Sequence, residues 1–137
     1  GVSKGGYILS DLDDGNFDVI LIASGSEVSL VAAAGEMLLS KGITSRIVSM
    51  PSWELFNLQS EDYRNEVLPP DFAAKLAVEA GIGQGWERFV GGDGELHVMS
   101  DFGASAPGKV VMEKFGFTAE AVAEHAQKLI RRLQSKV

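Results

Sequence analysis

The chain has no cysteine, four prolines and two histidines among 137 residues, and its cations are scarce. Lacking cysteine, it has no disulfides, no thiolate metal sites and no thiol nucleophile. Twelve Lys and Arg against nineteen Asp and Glu leave a net charge of −7. That balance repels phosphate backbones and anionic lipid, so neither nucleic acid nor a membrane surface is an expected partner. No apolar run approaches the roughly 18 residues needed to cross a bilayer, and no basic segment followed by an apolar stretch opens the chain. A cytoplasmic setting follows as the expectation. Apolar residues at 45% and charged residues at 23% are ordinary globular values, and the length suits one domain, 1–137, with a single core.

Several functional patterns are missing as well. There is no Gly-x-Gly-x-x-Gly dinucleotide fingerprint, no Gly-Lys-Ser/Thr ending of a nucleotide-triphosphate loop, and no Gly-x-Ser-x-Gly elbow. Asp11, Asp13 and Asp14 fail calcium-loop spacing, because the glycine comes one position early and no bidentate Glu follows; a solvated turn is expected. His97 and His125 fall on separate elements with no acidic residue or second histidine at ligand spacing, which predicts packing or surface roles. Lys128, Arg131, Arg132 and Lys136 cluster near the end of a helix, where cations oppose the negative end of the dipole.

What the chain does contain is alternation. Strands are predicted at Gly5–Ser10, Phe17–Ala23, Thr44–Met50, Lys75–Ala80 and Glu95–Ser100. Between the second and third, Val28, Val31, Ala32, Gly35, Leu38 and Leu39 recur at helical spacing and stop at Lys41-Gly42. A crossover helix of that length predicts parallel pairing. Short helices are expected from Ser52 to Pro70, with Ser60 capping one that runs through Val67, and a helical turn from Trp86 to Val90. Val122, Ala126, Leu129, Ile130 and Leu133 stripe a terminal helix. The order is that of an α/β sandwich with a mostly parallel sheet.

Two places invite function. Ser24-Gly25-Ser26-Glu27 ends a buried strand and opens a helix, where parallel sheets commonly hold anions on free backbone N–H groups. The Ser-x-x-Glu spacing of a capping box gives the turn a structural alternative, since Glu27 would occupy a donor and repel an anion. Trp53, Phe56, Trp86 and Phe89 could be core, or an exposed aromatic edge on which another domain docks, with Trp86 the first choice.

The most specific wording is Phe102-Gly103-Ala104-Ser105-Ala106-Pro107, followed by Phe115-Gly116-Phe117-Thr118. Ser105 can cap a helix, Pro107 suits a first turn, Gly116 a stop, and Thr118 the next cap. Helix grammar does not require the remaining residues of that run. Together with Gly5-Gly6-Tyr7, Ala23-Ser24-Gly25-Ser26-Glu27, Val48-Ser49-Met50-Pro51-Ser52, Tyr63-Arg64 before Val67-Leu68-Pro69, and Ala77-Val78-Glu79-Ala80-Gly81, it closely resembles the C-terminal domain of transketolase, in family order from about Gly5 to Leu129.

The resemblance implies an α/β three-layer sandwich with a five-stranded, mostly parallel mixed sheet, Gly5–Ser10 supplying the fifth strand. It also implies a parent homodimer that uses thiamine diphosphate and Mg²⁺ to move two-carbon ketol units between sugar phosphates of the pentose phosphate pathway. Cofactor and substrate belong to the two earlier domains of that parent, and nothing in this chain matches them. Gly92-Asp93-Gly94 lacks the downstream context of a diphosphate motif and reads as a turn. The resemblance therefore assigns no catalytic, cofactor-binding or metal-binding residue here and implies that this fragment binds no cofactor alone. Its partners would be the preceding domains and a second subunit, in a packing, dimer-supporting or regulatory role. A start at Gly1 rather than methionine is expected of a piece of a longer chain. The alternative is a free-standing α/β module that binds an anion or sugar phosphate at the Ser24–Glu27 turn.

Overall fold

The computed structural model describes residues 4–11, 16–25, 27–79, 86–98 and 118–135. Its strands are β1 (Tyr7–Asp11), β2 (Val19–Ala23), β3 (Ser45–Ser49), β4 (Lys75–Glu79) and β5 (Glu95–Val98). Its helices are α1 (Glu27–Leu39), α2 (Trp53–Asn57), α3 (Glu61–Val67), α4 (Glu87–Val90) and α5 (Ala119–Gln134). They form one sheet in the order β1-β3-β2-β4-β5. Every pair is parallel except β1 with β3. The expected five-stranded mixed sheet is therefore present, and the first strand is its antiparallel edge.

Strand β2 explains the layering. All five of its residues are buried, and they alternate between two cores. Val19, Leu21 and Ala23 face α1 and α5, joined by Leu38, Ile47, Leu76, Val78 and Leu129. Ile20 and Ile22 face the short helices, joined by Val48, Met50, Phe56, Ala77, Trp86 and Leu96. A strand covered on both sides has no polar face, so this one reads as a continuous apolar run.

The helix ends follow local chemistry. Ser52, Ser60 and Thr118 each turn a hydroxyl oxygen back to accept from the backbone N–H three residues on, at 3.2, 3.1 and 3.1 Å. Helix α1 ends at the predicted stop: Gly42 adopts φ 79°, its N–H donates to the Leu39 carbonyl, and that of Ile43 donates to the Leu38 carbonyl. At the end of α3, buried Arg46 from β3 supplies the cation, its Nη1 donating to the carbonyls of Glu66 and Val67 at 2.6 and 3.2 Å. The same guanidinium stacks 4.4 Å from the centre of the Phe17 ring. Tyr63 on α3 donates to the Gly6 carbonyl at 2.8 Å, tying this layer to the segment before β1.

Candidate functional site

The turn after β2 is open. Gly25 sits at φ 58° with clear space where a side chain would project. Two donors that an anion would need are engaged, since Glu27 N–H bonds the Ser24 carbonyl at 3.2 Å and Val28 N–H the Gly25 carbonyl at 3.3 Å. Helix α1 begins at Glu27, directly after this turn. Ser26 lies outside the described residues.

The aromatic edge is not an edge. Trp86 is 1% exposed, and Phe56 and Phe89 are buried with it. Trp53, half-buried, meets the Trp86 and Phe89 rings edge to face at 4.9 and 5.3 Å between centroids. The indole N–H of Trp86 donates to Glu79 Oε1 at 3.0 Å. Of the two readings of these aromatics, core burial holds for Trp86 and the exposed docking role does not: its polar atom has an internal partner, so the ring can be buried without loss. Of the exposed apolar side chains, Leu58 at the end of α2 is the most open, at 78%.

The two histidines depart furthest from the sequence reading. His97 on β5 and His125 on α5 are each 1% exposed, and their Nδ1 atoms lie 2.9 Å apart. His125 Nε2 is 2.7 Å from Glu95 Oε1, and Arg132 Nε donates to Glu95 Oε2 at 2.7 Å. Arg132 also donates through Nη2 to the Asp93 carbonyl at 2.5 Å. Far from simply facing a helix dipole, Arg132 anchors a buried carboxylate. The separated histidines of the sequence reading form one chain of contacts, Arg132–Glu95–His125–His97.

Its proton arrangement follows from the donors available. Glu95 accepts at both oxygens, so His125 carries a proton on Nε2. Between the facing Nδ1 atoms there is room for one proton, donated by either ring and accepted by the other. Two protonated nitrogens at that distance would point N–H at N–H, so in this geometry the pair holds at most one positive charge. Burial alone would raise the Glu95 pKa, but the hydrogen bonds and charges of His125 and Arg132 outweigh it and hold the carboxyl below its ordinary value.

A signal for this cluster exists in the sequence. Glu95 and His97 are two apart on a strand and share a sheet face, while His125 and Arg132 are seven apart on a helix and share a helix face. Looking for ligand spacing within one element misses a pairing made between elements. Chemically the network is internal: both nitrogens of His125 are committed to neighbours, and no face of the imidazole is open to a substrate. Among the described residues no three His, Asp or Glu side chains are placed to hold a metal ion. They therefore do not fit a Mg²⁺–diphosphate centre. The Phe102–Pro107 and Phe115–Phe117 motifs, Asp13, Asp14 and Lys136 lie outside the described residues.

Comparison with known proteins places this geometry. Residues 5–118 match the family model described as the transketolase-like TK C-terminal domain. The chain is 49% identical over 130 residues to a transketolase of Halalkalibacterium halodurans, covering 95% of this chain and 19% of that protein. It is 44% identical over 130 residues to a transketolase of Geobacillus stearothermophilus, covering 95% and 20%. Among solved structures it resembles transketolase from Leishmania mexicana with a TM-score of 0.76 and 41% identity, over 96% of this chain and 19% of that one.

Proposed function

Because this chain belongs to the family of transketolase-like C-terminal domains, we propose that it works as the non-catalytic third domain of a thiamine diphosphate-dependent ketol transferase. The observation that carries this reading is the size of the match: nearly the whole chain corresponds to only about 19% of the relatives it resembles. The remaining length is where a transketolase keeps its coenzyme, Mg²⁺ and sugar-phosphate contacts. In this reading residues 1–137 form one domain that contributes no catalytic, coenzyme or metal ligand.

What the domain supplies is a rigid body for packing. A doubly covered sheet and an interior salt-bridged network present a fixed surface to neighbouring domains and to a second subunit of a homodimer. Leu55 on α2 and Leu58 just past its end, 42% and 78% exposed, are apolar area that such packing would remove from water. The setting proposed is cytoplasmic, in the pentose phosphate pathway; among the described residues no helix is long and apolar enough to cross a membrane. The free-standing anion module gains little support from the Ser24–Gly25 turn, where two of the backbone donors are already used.

Titration calorimetry of the 137-residue chain with thiamine diphosphate and Mg²⁺ tests the assignment. No saturable heat is expected. A micromolar dissociation constant would contradict it, because the coenzyme would then have ligands within this chain.

A further inference from the structure

At the end of the sheet opposite the Ser24–Gly25 turn, a cleft of about 390 Å³ opens beside α2, α3 and the start of β4, with Phe56, Asn57, Arg64, Asn65, Lys75 and Phe89 in its wall. Its charge runs against that of the chain. The protein carries a net −7, yet the lining contains two cations and no carboxylate. Lys75 is the unusual member. It is 5% exposed, stands opposite Ile20 in the sheet register and lines the cleft at the start of β4.

Arg46, the cation on the other side of Ile20 in the register, occupies the carbonyls at the end of α3. Asp71 favours the Lys75 charge, but burial is the larger effect and pushes the ammonium pKa down. Arg64 has its Nε fixed on the Gln59 carbonyl at 3.1 Å, which holds the guanidinium in the cleft wall. The cleft thus combines a point charge, a planar donor fork, two carboxamides and two aromatic rings. Two cations match a dianion better than a single carboxylate, and Lys with Arg is a common pairing for phosphoryl oxygens.

We propose that this cleft binds a small phosphate monoester, its phosphoryl group between Lys75 and Arg64 and its organic part against Asn57, Asn65 and the two phenylalanines. This site belongs to the chain's own residues and does not depend on the architectural role proposed above.

The test is amide-shift mapping of the ¹⁵N-labelled chain, titrated at constant ionic strength with glycerol 3-phosphate and, separately, with inorganic phosphate. Saturable shifts are expected at Arg64, Asn65, Lys75 and Gly91, with glycerol 3-phosphate the tighter of the two. Lys75→Met keeps the aliphatic stem and Arg64→Gln keeps a donor; each should weaken binding roughly tenfold or more while the remaining shifts stay in place. If Lys75→Met does not fold, Arg64→Gln, on a half-buried helical position, carries the test. Absence of saturation in the millimolar range, shifts centred on Gly25, or undiminished affinity in a folded variant would overturn the site. Equal affinity for inorganic phosphate would overturn the monoester assignment.

Discussion

Replacing His125 by alanine should be among the most damaging single changes available to this chain. The substitution removes the 2.7 Å bond to Glu95 and the 2.9 Å contact with His97, and leaves a void where a ring 1% exposed had been. Arg132 still holds Glu95 Oε2, and being about one third exposed it keeps access to water. Oε1 of Glu95, on a side chain 5% exposed, has no such recourse. A buried polar group stripped of its partner costs about 1–3 kcal/mol, more when charged, and breaking a buried ion pair from one side costs about 3–5 kcal/mol. We therefore expect a loss of about 3–5 kcal/mol, a large share of the roughly 5–15 kcal/mol that holds a domain folded.

Urea unfolding followed by far-ultraviolet circular dichroism would read this as a lower midpoint with an unchanged slope. The informative control removes the network from both sides. Replacing Glu95, His97 and His125 together by apolar residues of similar volume should cost far less than His125→Ala alone, since no buried charge then lacks a partner. A His125→Ala loss under about 1 kcal/mol, or a triple variant as unstable as the single one, would refute the reasoning that unpaired burial sets the cost.

Two further outcomes follow from the same structure. A side-chain carbon at Gly94 would overlap the Val90 carbonyl oxygen, so Gly94→Ala should destabilise by about 1–3 kcal/mol in the same unfolding assay, with a neutral result excluding that close approach. Glu95 has a folded pKa below its ordinary 4.5, so the stability it contributes is present above that value and is lost as pH falls through the lower, folded one; unfolding midpoints from neutral to acid pH should drop more steeply for the parent chain than for Glu95→Gln, and parallel curves would contradict the assignment.

The parts of the fold readable in advance were those set by neighbours in sequence. The apolar run of β2, the Gly42 stop of α1, and the Ser60 and Thr118 caps each act within a few residues, and each reappears where expected. The α1 stripe does so in part: Val31, Gly35 and Leu38 are buried, with Ala34 beside them, while Leu39 is 47% exposed. A first strand was expected, but its antiparallel place at the edge was not legible, because its pairing with β3 joins segments far apart in the chain. Legibility stopped where an element meets a distant one. Trp86 reads equally as surface or core until Glu79 is found waiting for its N–H, and that bond depends on how the end of β4 returns beside α4. His97 and His125 are 28 positions apart, and only the packing of α5 against β5 makes them a pair. Lys75 looks like the polar start of a strand; that it is buried beside Arg64 depends on α3 folding back over the sheet.

The most direct test of the central claim, that this chain is an architectural domain and not a catalyst, is a coupled assay of ketol transfer from xylulose 5-phosphate to ribose 5-phosphate with thiamine diphosphate and Mg²⁺. The account predicts no turnover above background for the 137-residue chain and activity only when the rest of a transketolase is present. Sustained turnover by the purified chain alone would contradict it.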